Sequence, residues 1–285
     1  GSVIKMGMLL SFLEFANINE NSVIQTPAFV EFGNRKFRDW KAGGHGSADA
    51  IKAIRESVDV YFYILSQYTG IENMANVLKQ MGIGRLTGVD IPNEVSGILP
   101  TPEWKLRRYG EQWYTGDTIT TSIGQGYFLS TPIQIARYTA LIASGKLVTP
   151  HFAKDFNGEQ AVFATKDVLN DVQKSKLNVL RKGMYQVCSM PGGTAYSRAQ
   201  GSQVKLACKT GTAQVVGIPQ DVQKRIKESE MEYFHRSHAW ITAFLPYENP
   251  QYAVTILIEH GGSGGSGAPV LVKIANKLKE LGYVK

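Results

Sequence analysis

The sequence predicts an α+β protein of two lobes, and three observations carry that prediction. Residues 206–214, Leu-Ala-Cys-Lys-Thr-Gly-Thr-Ala-Gln, read as a strand. Residues 239–245 and 252–259 read as two more, joined through a turn at Asn249 and Pro250. Helical periodicities stand ahead of these strands and another follows them, the pattern of helices packed against an antiparallel sheet. The chain has 285 residues, 43% of them apolar, enough to bury a sizeable core as one large domain or two lobes.

At the start, Val3, Ile4, Met6, Met8, Leu9, Leu10, Phe12 and Leu13 are too dense for a surface helix. The 2–15 segment is therefore expected to be a central helix, buried nearly all round. Residues 16–46 are rich in Asn, Gly and Pro and read as irregular, with one short hairpin. Ser47 then reads as an N-cap for a helix over 48–57. Ser57-Val58-Asp59 opens a further apolar helix, and the amphipathic pattern resumes over 72–81 until Gly82 and Gly84 end it. Residues 88–117, with Pro92, Pro100, Pro102 and the aromatic residues Trp104, Trp113 and Tyr114, read as a long ordered loop. A Gly-rich turn at 124–126 leads to a helix with Thr131 as N-cap and Pro132 at its first position, ending at Gly145. Short strands are expected at 147–152 and 160–163, and a helix at 166–188. A tight turn at 191–196 precedes the Lys209 strand. The charged 219–236 run reads as a mobile surface loop, and 269–281 as a terminal amphipathic helix.

A net charge of +7 and a pI near 9.2 raise nucleic acid, an anionic membrane surface or an acidic polymer as partners. No basic run, zinc-finger spacing or aromatic–basic interleaving supports nucleic acid, and a generally solvated basic surface is the plainer reading. Two cysteines, Cys188 and Cys208, make neither a disulfide scaffold nor a zinc module. A bridge between them is left open, with unpaired thiols the expected state. His45 near Asp39 is read as structural, since a lone His without a nearby Cys is a poor metal site. No apolar run approaches the ~20 residues that span a bilayer, and no signal-peptide pattern is seen.

The chemistry-bearing residues fall in three places. Ser2 lies at the first turn of the central helix, where free N–H groups and the positive dipole end favour a developing anion. Lys5, three residues on, lies about 5–6 Å away on the same face. A desolvated Lys there can act as base toward the Ser hydroxyl. A Gly-Ser start is also what a cloning remnant leaves, so Ser2 has two readings. The same spacing recurs at Ser202 and Lys205, but that copy leads into a strand, where residues three apart face opposite ways. Ser57 is placed to point into a cleft as a proton relay, and Asp59 to accept a hydrogen bond from Lys5 or Lys209. The plainer reading is that either one caps a helix. On the 206–214 strand, Lys209, Gly211 and Ala213 take one face and Cys208, Thr210 and Thr212 the other, with Gly211 letting a ligand backbone approach.

A Ser-x-x-Lys, a Ser-x-Asn and a Lys-Thr-Gly in this order form the set of penicillin-binding proteins and serine β-lactamases, here with Asp59 where Asn is more usual. On Ser2/Lys5, Ser57/Asp59 and Lys209-Thr210-Gly211-Thr212 the chain resembles the penicillin-recognising transpeptidase domains. The 124–134 stretch, Trp113-Tyr114-Thr115-Gly116-Asp117, Gly193-Thr194-Ala195 and Glu259-His260-Gly261-Gly262 extend the likeness nearly end to end. They are similar to the elongation-type class B enzymes, the penicillin-binding protein 2 group, and Asp59 suits that subtype.

The resemblance implies the penicillin-binding protein/serine β-lactamase-like transpeptidase fold. That is a five-stranded antiparallel sheet flanked by helices, a helical lobe and the site between them. The whole of 1–285 would be the transpeptidase domain, with a helical lobe at roughly 16–145 and a sheet lobe at roughly 146–285 plus helix 2–15. The membrane anchor, a non-catalytic domain and the first strands would lie outside this sequence, at the periplasmic face of the bacterial cytoplasmic membrane. It implies that Ser2 attacks the D-Ala-D-Ala carbonyl of a peptidoglycan stem peptide while Lys5 takes its proton. Ser57 and Lys209 would serve the leaving amine, with Asp59 as acceptor. Thr210, Gly211 and Thr212 would line the substrate, Thr210 and Thr212 holding its carboxylate, and the N–H groups of Ser2 and Thr212 would form the oxyanion hole. β-Lactams would acylate the same serine. Expected partners are a SEDS-family glycosyltransferase and a rod-shape-determining periplasmic scaffold protein. No cofactor is expected, and Val58 stands where some relatives carry a Cys near a metal site, so no zinc is expected.

Two other functions share the motif set. A serine β-lactamase needs a positioned base for fast deacylation, and the sequence offers no obvious Glu for that role beside the motifs. A non-catalytic β-lactam sensor would acylate once and signal, and peptide turnover separates it from an enzyme. An unrelated hydrolase is disfavoured because no His accompanies a Gly-x-Ser-x-Gly elbow.

Overall fold

The computed structural model describes residues 1–160, 162–217 and 227–285. A 3₁₀ turn at Ser2–Ile4 runs straight into helix α1 (Lys5–Phe15), and residues 3–13 are all buried, as the apolar density predicts. Each fully buried Leu, Met or Phe here contributes about 1.5–3 kcal/mol. Gly7 lets the helix pack this closely, since a Cβ there would lie 2.6 Å from the Leu78 side chain. The Gly7 N–H donates to the Tyr138 hydroxyl, which in turn donates to the Ile4 carbonyl at 3.1 Å. One buried phenol thus occupies two backbone groups at the start of the helix.

Strands β1 (Ile24–Thr26), β2 (Phe29–Phe32), β3 (Arg35–Arg38) and β4 (Gly46–Ala48) follow. The expected hairpin is β2–β3, and β1 also pairs with β4, more order than the composition suggests. Ser47 is part of β4. The cap of the next helix, α2 (Ala50–Arg55), is Asp49, whose carboxylate accepts from the Lys52 N–H at 2.7 Å. Helices α3 (Asp59–Thr69) and α4 (Ile71–Gln80) come next.

The expected 88–117 loop instead holds helix α5 (Pro102–Tyr109), followed by α6 (Thr115–Thr121). Pro102 starts α5 rather than breaking it, because the N–H it lacks has no partner at a first helical position. Thr101 caps that helix by accepting from the Trp104 N–H at 3.1 Å, and Gly110 (φ 70°) closes it. Helix α7 (Pro132–Ser144) has the predicted boundaries, with Thr131 and Gln134 forming a reciprocal cap and Gly145 (φ 81°) ending it.

The two strands expected next are only short ribbons: β5 (Leu147–Val148) pairs with β8 (Thr165–Lys166), and β6 (Asp155–Phe156) with β7 (Glu159–Gln160). Helix α8 (Asp171–Ser189) starts later than expected because Asn170 caps it. After α9 (Tyr196–Ala199) come β9 (Ala207–Ala213), β10 (His238–Leu245) and β11 (Tyr252–Ile258), then α10 (Ala268–Glu280). These three strands form an antiparallel sheet with β10 in the middle and Lys209 opposite Thr242. It holds three of the five strands that the resemblance implies. Of the 219–236 run, residues 219–226 lie outside the described residues, while Glu228–Glu230 and Tyr233–His235 form 3₁₀ turns. Among the described residues no helix is long and apolar enough to cross a membrane.

The cysteines correct the sequence expectation: Cys188 near the end of α8 and Cys208 on β9 form a disulfide. The alternation of the strand, which sends Cys208 away from Lys209, aims it at α8. The bridge closes a separation of 20 residues, a loop for which cross-linking stabilises by about 2–4 kcal/mol. Cys188→Ala combined with Cys208→Ala is expected to lower the unfolding free energy by that amount, read from urea midpoints under oxidising conditions.

Candidate active site

Lys5, Ser57, Asp59 and Lys209 converge through direct hydrogen bonds, and Ser2 lies in the turn that runs into α1. Lys5 opens α1, and its buried Nζ donates to Asp59 Oδ1 at 2.6 Å, to the Ser57 carbonyl at 2.9 Å and to Ser57 Oγ at 3.3 Å. Lys209, fully buried on β9, donates to the same Ser57 Oγ at 2.9 Å and to the Thr210 carbonyl at 2.9 Å. The Ser57 hydroxyl therefore bridges two amines. Burial and the neighbouring Lys5 charge push the Lys209 pKa well below that of an ordinary lysine, against the pull of Asp59. Two buried ammonium groups beside one carboxylate are costly, which disfavours the charged form of Lys209 relative to a free lysine.

Ser57 sits at φ 55°, in the left-handed region that a non-glycine residue enters at a cost of about 1–3 kcal/mol. The surroundings hold it there. Val58 N–H donates to the Ala53 carbonyl at 3.0 Å, and Trp40 Nε1 donates to the Glu56 and Ser57 carbonyls at 3.1 and 3.2 Å. Trp40 packs edge-on against His45. His45 Nδ1 lies 2.9 Å from Glu56 Oε2 and Nε2 lies 3.1 Å from Asp39 Oδ1, while Asp39 Oδ2 accepts from the Val60 N–H at 3.0 Å. One imidazole therefore ties both flanks of Ser57-Val58-Asp59 together. Both ring nitrogens thus face carboxylates, and Val58 carries no donor atom on its side chain. Among the described residues no metal-ligating cluster of three or more His, Cys, Asp or Glu is found.

Burial opposes charge on His45, and its hydrogen bonds to Asp39 and Glu56 outweigh burial and raise its pKa. Burial would likewise raise the two carboxylates. For Asp39, hydrogen bonds from His45, Val60 and Lys41 lower it overall; for Glu56, those from Arg55 and His45 do so. The stability gained from His45 is therefore fully present below its unfolded pKa of about 6.5 and is lost as pH rises through the raised folded value. That of the carboxylates is present above about pH 4 and is lost as pH falls through their lowered values. The unfolding midpoint should fall as pH is raised from about 6.5, and His45→Gln should flatten that decline in thermal melts.

Ser2 is partly exposed, and its hydroxyl makes no hydrogen bond among the described residues. Its backbone is set against β9 by the absence of side chains. A Cβ on Gly211 would lie 2.9 Å from Val3 Cγ1 and 3.4 Å from Ser2 N, and one on Gly1 would lie 2.7 Å from the Thr212 carbonyl. What Gly211 admits here is the chain's own Ser2–Val3 turn, with Gly264 also close to it. Thr210 Oγ1 lies 2.5 Å from Thr194 Oγ1, and Thr212 Oγ1 accepts from the Gly264 N–H at 3.1 Å.

The sequence reading did not assign Trp40, Thr194 or Gln125 to the site. Gln125 Nε2 donates to the Thr212 carbonyl at 2.8 Å and its Oε1 accepts from the Gln214 N–H at 3.4 Å, fastening the end of β9. The Gly-rich turn that carries it is visible in the sequence; its partner strand, almost ninety residues on, is not. The second Ser-x-x-Lys is engaged elsewhere, Ser202 with the Val204 carbonyl and Lys205 with Glu248.

A family model described as penicillin binding protein transpeptidase domain matches residues 1–279. A curated relative from Haemophilus influenzae, named peptidoglycan D,D-transpeptidase MrdA, is 37% identical over 265 residues, 90% of this chain and 40% of that protein. Similar solved structures include the complex between penicillin-binding protein (PBP2) and MreC from Helicobacter pylori. A chain of it matches at 56% identity and a TM-score of 0.91, covering 100% of this chain and 50% of that one. PBP2 from Pseudomonas aeruginosa, in complex with WCK 5153, matches at 32% identity and a TM-score of 0.84, covering 97% and 60%. The chain thus spans 40% of the length of the curated relative and 50% and 60% of the two solved chains.

Proposed function

The chain belongs to the penicillin-binding protein transpeptidase domain family, and from that membership we propose that it is a serine D,D-transpeptidase that cross-links peptidoglycan stem peptides during lateral wall elongation. The observation that carries this reading is the Ser57 hydroxyl held between the Lys5 and Lys209 amines, with Ser2 in the turn that runs into the helix opened by Lys5.

In this mechanism Lys5 passes a proton through Ser57 Oγ to the neutral Lys209 amine and then takes the proton of Ser2 as its oxygen attacks the D-Ala-D-Ala carbonyl. The N–H groups of Ser2 and Thr212 stabilise the oxyanion, a contribution of about 3–4 kcal/mol per donor. Collapse expels D-Ala, whose amine receives a proton from Ser57, replenished by Lys209. The acceptor stem amine then attacks the acyl ester, loses a proton through the same groups and leaves Ser2 free. Thr210 and Thr212 bind the terminal carboxylate, with Thr194 orienting Thr210. Penicillin enters the first half of the cycle because its strained amide mimics the dipeptide.

The proposed division is a helical lobe at 16–145 and a sheet lobe at 146–285 with the 2–15 helix, the substrate lying between them. The proposed setting is the periplasmic face of the cytoplasmic membrane, beside a SEDS-family glycosyltransferase and a scaffold protein; the relative solved with MreC supports the latter.

Intact mass and peptide mapping over a time course with penicillin test the reading. A lasting adduct on the Ser2 peptide, together with D-Ala release from a D-Ala-D-Ala stem peptide, is the expected result. Rapid loss of the adduct with accumulating hydrolysed drug would replace it with a β-lactamase. An adduct without peptide turnover would replace it with a sensor.

A further inference from the structure

A cavity of about 660 Å³ that includes none of the catalytic cluster opens where the end of α4, α7 and the β5–β8 ribbon meet. Lys79, Arg85, Arg137 and Lys166 line it. Elsewhere many of the protein's surface cations sit beside carboxylates, as Lys36, Arg107, Lys174, Lys205 and Lys277 do. These four have no such ion pair among the described residues. Lys79 also answers the dipole at the end of α4, but the other three come from separate segments with no such demand.

Arg137 distinguishes this site from a solvated basic face. It is only 9% exposed, and its Nε donates to the Val148 carbonyl at 2.7 Å, which fixes the plane of the guanidinium. The terminal nitrogens make no hydrogen bond among the described residues. Gly82 (φ 90°), another lining residue, leaves room for them: a Cβ there would lie 3.2 Å from Arg137 Nη1. Burial holds the Arg137 pKa down, and the opposing carboxylate, Glu94, is engaged by Thr87 and the Gly88 N–H. With no carboxylate paired to it among the described residues, this guanidinium keeps donors for an anion in the cavity.

The geometry points to a second binding site, for a compact ligand that bears an anionic phosphate group. The volume is in the usual range of about 300–1,000 Å³ for small-ligand sites. A concave wall of one sign concentrates anions. The fixed Arg137 fork matches phosphate oxygens, and the lysines and Arg85 at the mouth supply the remaining charge.

Inorganic pyrophosphate is the first probe, titrated by calorimetry into the 285-residue chain, with vesicles of phosphatidylglycerol or phosphatidylcholine as the second. Arg137→Gln removes the buried cation but risks the fold, so the deciding variant is Lys79→Gln with Lys166→Gln, both at exposed positions. It is expected to weaken binding about tenfold or more and to leave penicillin acylation unchanged. Saturable pyrophosphate binding lost in the variant supports the site with a soluble phosphate as ligand. Binding only to phosphatidylglycerol vesicles, lost in the same variant, supports it with a lipid headgroup. Binding to neither probe, or equal binding by variant and wild type, overturns it.

Discussion

Ser2→Ala is expected to abolish covalent labelling by penicillin, a loss on the order of 10⁶-fold in acylation, while leaving the unfolding free energy within about 0.5 kcal/mol of wild type. Both halves follow from the surroundings of Ser2. Its hydroxyl is partly exposed and makes no hydrogen bond among the described residues, so its removal strands no buried partner. The acyl ester, by contrast, has no other oxygen to form on. Ser57 Oγ is held between two amines on a strained backbone, and Ser202 Oγ is turned onto the Val204 carbonyl. Intact mass after prolonged incubation reads the first half and a urea transition reads the second. A full-mass adduct on the folded variant would remove Ser2 from the chemistry, and mapping that adduct would name its replacement.

Features set by neighbouring residues were the most legible in the sequence. Thr131, Pro132 and Gly145 bound α7 by chemistry that acts within a turn, and the density of apolar side chains in α1 demands burial from every side. The alternation of β9 was also readable, and with it the opposite destinations of Lys209 and Cys208. Pro102 misled because proline both ends helices and begins them, and only the Thr101 cap and Gly110 together separate the two cases.

What the sequence withheld depends on contacts between distant segments. The disulfide needs α8 to deliver Cys188 to the face of β9 that carries Cys208, a placement no local pattern encodes. The left-handed backbone of Ser57 is the same kind of feature. A serine there is locally unfavourable, and it persists because Lys5 and Trp40, 52 and 17 residues away, hold its carbonyl. Local preference is overruled where the candidate chemistry lies, as expected for strain kept at a working site. Gly211 was legible as a point of close approach, but what comes close is the Ser2–Val3 turn.

Lys209→Ala is expected to slow penicillin acylation by about 10²–10⁴-fold, the usual contribution of a positioned proton-transfer group. The sign of the accompanying pH effect is fixed by the environment. Burial and the Lys5 charge push the Lys209 pKa down, so the neutral amine that can accept the relayed proton forms at lower pH than for a free lysine. Wild-type acylation should therefore rise with pH through that lowered pKa, and the variant should lose this limb of the profile. Alanine also opens a cavity at a fully buried position, and packing loss alone can slow a reaction. Lys209→Met separates the two causes, because it keeps most of the side-chain volume and removes the amine. If the methionine variant is as slow as the alanine variant and equally flat with pH, the amine relays the proton. If it acylates at the wild-type rate, Lys209 only fills space, and the proton leaves Ser57 by another route.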